Sequence, residues 1–129
     1  MPKYWYDHVH LFSPDPRKAA KFYQDMFQAT LVSNNKDDAG NIRVVLKMGD
    51  TRILIFNSKA RAGLDPKTEP YYGINHFGIR TDNLEAAVAE LKKKGVHFTD
   101  EIRVAASGSK ISFLTAPDNV RIELLETGA

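Results

Sequence analysis

The chain carries one pattern twice, and that internal repeat is what most limits the folds open to it. His8 to Gln28, HVHLFSPDPRKAAKFYQDMFQ, and Ile74 to Gly95, INHFGIRTDNLEAAVAELKKKG, each run from a histidine-bearing strand through a turn into a helix. His8 and His76 lie 68 residues apart, and Ala19-Ala20 and Ala86-Ala87 lie 67 apart. The repeat reaches the far end of each half. Gly49 to Ile55, GDTRILI, aligns with Asp118 to Leu124, DNVRIEL, which sets Arg52 against Arg121 at an offset of 69. Two copies are too few for a solenoid and read as two similar modules packed together.

Periodicity fills in each module. Tyr6 to Phe12 alternates as a strand, with Val9 and Leu11 on one face and His8, His10 and Phe12 on the other. Asp15 is the expected N-cap of the first helix and Pro16 its first-turn residue, with Ala19, Phe22, Tyr23, Met26 and Phe27 inward. A short strand over Thr30 to Ser33, a polar loop over Asn34 to Asn41 and a hairpin of Ile42 to Met48 with Thr51 to Asn57 follow. In the second module Leu84, Ala87, Val88 and Leu91 share a helix face. Asp82 is the expected N-cap, Glu85 completes a capping box, and Gly95 ends the helix. Short strands are expected over Val96 to Thr99 and Ile102 to Ala105, then a hairpin of Lys110 to Thr115 with Val120 to Glu126. Both halves read βαβββ, an α+β fold. Residues 1–57 form the first module, 58–73 a linker and 74–129 the second, together one compact domain. The linker is long for a simple connection and a candidate wall of a binding cavity, as are Tyr71 and Tyr72 within it.

Composition narrows the chemistry. With 43% hydrophobic residues and a net charge of +2, the chain is neither disordered nor a strong polyanion binder, so no nucleic acid partner is expected. Lys92-Lys93-Lys94 closes a helix, where cations suit the macrodipole. No cysteine is present, which removes disulfides, thiolate nucleophiles and thiolate metal ligands. No apolar run approaches the ~20 residues of a membrane span, and the first residues do not open as a signal peptide. The expectation is a cytoplasmic protein with no membrane partner.

The repeat also nominates a site. His8 and His76 hold equivalent strand positions, and Leu54 and Glu123 hold equivalent positions on the closing strands. If the modules pair about a pseudo-twofold axis, these four positions converge. Two imidazoles and one carboxylate are a ligand set for a divalent metal, with about three coordination positions left for water or substrate. Leu54 has no donor atom. His10, two residues beyond His8 on the same strand face, is the candidate acid/base, or else a histidine that lines the site or supports a ligand. His97 reads as structural, and Glu126 points with Leu124, away from Glu123.

The chain resembles the vicinal oxygen chelate superfamily, which includes glyoxalase I, methylmalonyl-CoA epimerase, fosfomycin-resistance enzymes, extradiol dioxygenases and bleomycin-binding proteins. The resemblance rests on His8-Val9-His10-Leu11, Lys21 to Asp25, Asn75 to Ile79, the Pro117-Asp118-Asn119 turn and Arg121 to Glu126. It implies that the two modules form a cupped, barrel-like mixed sheet. The metal ligands would be His8, His76 and Glu123, and the ion Zn, Ni, Co, Mn or Fe. Glyoxalase I has a metal-binding glutamate where this chain has Leu54. Extradiol dioxygenases have a tyrosine where this chain has Phe113 and a histidine further upstream, whereas no histidine lies between Phe98 and Glu123 here. The second module looks most like the epimerase and glyoxalase branch. The resemblance therefore implies a metal-dependent lyase or isomerase, working through an enolate-type intermediate on a small oxoacid, hemithioacetal or acyl-thioester, and a homodimer. The alternatives are a small-molecule (antibiotic-type) binding protein of the same fold and an extradiol-type dioxygenase.

Overall fold

A computed structural model describes residues 3, 6–57 and 74–126; the 58–73 segment, with Tyr71 and Tyr72, lies outside them. The chain divides into two compact units, Met1–Gly63 and Leu64–Ala129. In the first, β1 (His8–Phe12), α1 (Pro16–Phe27), β2 (Thr30–Lys36), β3 (Ile42–Met48) and β4 (Thr51–Phe56) form a four-stranded mixed sheet ordered β1-β4-β3-β2. In the second, β5 (Phe77–Arg80), α2 (Leu84–Lys93), β6 (His97–Val104), β7 (Lys110–Ala116) and β8 (Val120–Glu126) give the order β5-β8-β7-β6. Each first strand runs parallel to the last strand of its own unit, and the other pairings are antiparallel. The α+β class and the twofold βαβββ pattern read from the sequence are both present.

Ladder register confirms the repeat to the residue. Val9 pairs with Ile53 and His10 with Leu54, while Phe77 pairs with Ile122 and Gly78 with Glu123. Leu54 and Glu123 are thus true counterparts, and Gly78 stands in the second unit where His10 stands in the first. In both units the core lies between helix and sheet. Val44, Leu46, Ile53 and Ile55 are buried with Ala19, Ala20 and Tyr23; Leu114, Ile122 and Leu124 are buried with Leu84, Val88 and Leu91. Side chains of odd and even parity alternate across a strand, so Leu54 and Glu123 lie on the sheet face away from the buried Ile53, Ile55, Ile122 and Leu124.

Local chemistry sets the element ends, and several differ from expectation. Asp15 caps α1 as expected, its Oδ1 accepting from Lys18 N at 3.2 Å. On α1, Phe22, Met26 and Phe27 are only half-buried, while Ala20 is buried beside Ala19 and Tyr23. The N-cap of α2 is Asn83, not Asp82, because its Oδ1 accepts the Ala86 N–H at 3.1 Å, and Glu85 falls outside any capping box. Gly95 follows the last turn at φ +91°. Its N–H reaches Lys92 O at 3.0 Å and that of Val96 reaches Leu91 O at 3.0 Å, a Schellman closure. β1 begins at His8, two residues later than expected, and His76 immediately precedes β5. β2 runs on to Lys36 because Asn34, Asn35 and Lys36 pair with Val44, Arg43 and Ile42. The two short strands expected over 96–105 are one strand, β6, with irregular register that breaks its alternation.

Candidate functional site

The site is best built from the second unit. Glu123, half-buried on β8, sets its Oε1 3.2 Å from His76 Nε2. The opposite ring nitrogen, His76 Nδ1, lies 2.7 Å from Asn75 Oδ1, and that same oxygen accepts from Arg121 Nη1 at 2.7 Å. The Arg121 guanidinium stacks 3.8 Å above the centroid of Phe113, and the Phe113 ring meets His76 at 89° with centroids 5.0 Å apart. Phe113 is buried and stands opposite Glu123 in the β7–β8 ladder, so it is a fixed plate beneath both side chains.

In the first unit His8 shows the same pattern with one change. Its Nδ1 lies 2.8 Å from Asp7 Oδ2. A carboxylate only accepts, so Nδ1 carries a proton, and in the neutral ring Nε2 keeps its lone pair. A side-chain oxygen one residue back thus anchors each histidine, Asp7 for His8 and Asn75 for His76. In the sequence, Arg121 and Asn75 have a place in the repeat and its motifs but no role in the site, and Asp7 has neither. The visible signal was an oxygen-bearing residue before each repeated histidine and an arginine at 52 and at 121.

His10 packs between aromatic rings, with centroids 4.7 Å from Phe12 and 4.4 Å from Phe56. Burial lowers its pKa from the ordinary 6.5, and the neighbouring charge of His8 lowers it further. The imidazole is therefore neutral at neutral pH and able to accept a proton. His97 is exposed on β6. Glu126 lies apart from Glu123's contacts: its Oε1 accepts the Leu84 N–H at 2.8 Å, at the start of α2.

The structure joins His76 with Glu123 inside one unit, and places His8 and His10 together on β1 of the other. Among the described residues no three His, Cys, Asp or Glu side chains gather as a metal site. The donor chemistry suits a divalent ion: His8 offers a free Nε2, and His76 Nε2 with Glu123 Oε1 places a nitrogen and a carboxylate oxygen side by side.

Comparison with known proteins agrees with the fold. The chain is 31% identical over 126 residues to methylmalonyl-CoA epimerase, mitochondrial, of Homo sapiens, covering 92% of this chain and 71% of that protein. It is 26% identical over 146 residues to lactoylglutathione lyase of Schizosaccharomyces pombe, covering 97% of this chain and 48% of that one. Among solved structures, the glyoxalase family protein from Enterococcus faecalis superposes with a TM-score of 0.78 at 24% identity, covering 92% of this chain and 94% of that one. The model of the Glyoxalase/Bleomycin resistance protein/Dioxygenase superfamily matches residues 5–124, and the chain belongs to that superfamily.

Proposed function

We propose that this chain is a divalent-metal-dependent lyase or isomerase of the glyoxalase type, which moves a proton at the carbon beside a substrate carbonyl. The observation that carries the reading is the His76–Glu123 pair, a nitrogen and a carboxylate oxygen 3.2 Å apart with the histidine anchored from behind by Asn75. His8, His76 and Glu123 would hold the ion. A bound ion would supply Lewis acidity that stabilises negative charge developing on a substrate oxygen.

The chain's own residues supply the remaining chemistry. Asp7 and Asn75 orient the two imidazoles. Leu54 brings no donor atom to the position that Glu123 fills in the other unit, so it leaves room for water or substrate oxygen. His10 is the acid/base: the neutral ring takes the proton from carbon, and Phe12 and Phe56 hold its plane. Likeness to the human epimerase favours an acyl-thioester over an oxoacid or hemithioacetal as substrate. The working form is a homodimer, which a sedimentation mass of two chains would bear out and a monomer mass across a wide concentration range would refute.

The test is proton exchange. Metal-loaded protein incubated in D2O with methylmalonyl-CoA should exchange the proton beside the thioester carbonyl. His10→Gln should slow that exchange by about 100-fold or more while keeping the metal. A metal-loaded wild type that binds thioesters, oxoacids and hemithioacetals without exchange would make the chain a binding protein and overturn the proposal.

A further inference from the structure

We infer that Arg121 and Asn75 are positioning residues that fix the tautomer of His76, and so keep its Nε2 lone pair turned toward Glu123 and open to a cation. The argument starts from Arg121, whose guanidinium has only donors. The Asn75 atom 2.7 Å from Arg121 Nη1 must accept, so it is Oδ1 and not the amide nitrogen. That same oxygen stands 2.7 Å from His76 Nδ1. It bears no hydrogen, so the ring proton sits on Nδ1. In the neutral ring Nε2 is then an acceptor, and it faces another acceptor, Glu123 Oε1, at 3.2 Å. Two acceptors this close repel unless a proton or a metal cation lies between them.

Without Arg121 the balance reverses. The Asn75 amide could turn its NH2 toward Nδ1, the ring proton would move to Nε2, and Nε2–H would donate to the Glu123 carboxylate. That charge-assisted bond is the stronger one available to the ring, and it would engage both metal-ligating atoms at once. Arg121 blocks this arrangement from a fixed seat, with its guanidinium 3.8 Å over the buried Phe113 ring. The first unit needs no such lock, because Asp7 has no donor to turn toward His8. The second unit already carries a carboxylate on the metal side of its histidine, so a neutral amide behind the ring avoids adding a second negative charge.

The tautomer rests on geometry alone; its consequence for metal rests on the metal-site reading above. Long-range 1H–15N correlation spectra of the metal-free protein, at a pH where His76 is neutral, report which ring nitrogen is protonated. Wild type should show Nδ1–H. Arg121→Ala should move the proton to Nε2 and weaken Co2+ binding by roughly 10-fold or more. Adding Asn75→Asp to Arg121→Ala should restore Nδ1–H, because a carboxylate cannot turn a donor toward the ring. A merely structural role for Arg121 would give no such rescue. If Arg121→Ala does not fold, Asn75→Ala at an exposed position makes the same prediction. Nδ1–H persisting in the folded single variants would overturn the inference while leaving the metal site standing. A wild type that shows Nδ1–H but binds no Co2+ would sink the metal reading and leave the tautomer assignment intact.

Discussion

Glu126 offers a perturbation whose size can be worked out from its contacts. Its Oε1 accepts the Leu84 N–H at 2.8 Å, and Leu84 is fully buried, so water has no easy route to replace the bond. Glu126→Ala would leave a helix-start N–H unsatisfied, at a cost of about 1–3 kcal/mol. It would also remove a negative charge from the positive end of α2, worth about 0.3–1 kcal/mol. The two contributions overlap, and about 2 kcal/mol is expected in total. Glu126→Gln keeps an acceptor oxygen in place and loses only the charge, so about 0.5 kcal/mol is expected. At the entropy of unfolding of a chain this size, about 4 °C per kcal/mol, the alanine variant should melt about 8 °C lower and the glutamine variant about 2 °C lower. Urea unfolding and thermal melting at neutral pH measure both. Wild-type stability in Glu126→Ala would refute the tertiary cap. Equal losses in the two variants would mean that charge alone acts there.

Two further outcomes follow from the ladder and the loops. Leu54→Glu places a carboxylate at the counterpart of Glu123, on the sheet face away from the core, and should tighten metal binding; a destabilised variant with unchanged affinity would mean that Leu54 does not belong to the site. Asp37 accepts the Asn41 backbone N–H, the Asn41 side-chain amide and the Ala39 N–H, which hold its pKa below the ordinary 3.8. Its lowered pKa makes it stabilising above that value, so the advantage of wild type over Asp37→Ala should be full at neutral pH and shrink as the pH falls below 3.8, and an advantage that grew on acidification would contradict it.

Much of this fold was legible because the repeat aligned residues that a single pass would have left isolated. Pairing His8 with His76 and Leu54 with Glu123 by offset alone matches the parallel ladders, where His10–Leu54 and Gly78–Glu123 hold the same register. The misses arose where distant residues decide local structure. Asp82 and Asn83 are both good caps in sequence, and the choice depends on where the helix starts. Leu84 takes that place with Glu126, 42 residues away, meeting its N–H. Asn34 to Lys36 are too polar to read as a strand, and pairing with β3 makes them one. Asn75 and Arg121 stayed hidden because their role lies in hydrogen bonds between side chains 46 residues apart, which no periodicity encodes.

The central claim is that His8, His76 and Glu123 hold a divalent ion. The direct test is elemental analysis of protein expressed in metal-supplemented medium, for wild type and for His8→Ala, His76→Ala and Glu123→Ala, each checked for native fold by circular dichroism. The account predicts about one divalent ion per wild-type chain and a clear loss in each variant. A wild type without metal, or variants that keep it at full stoichiometry, would contradict the account.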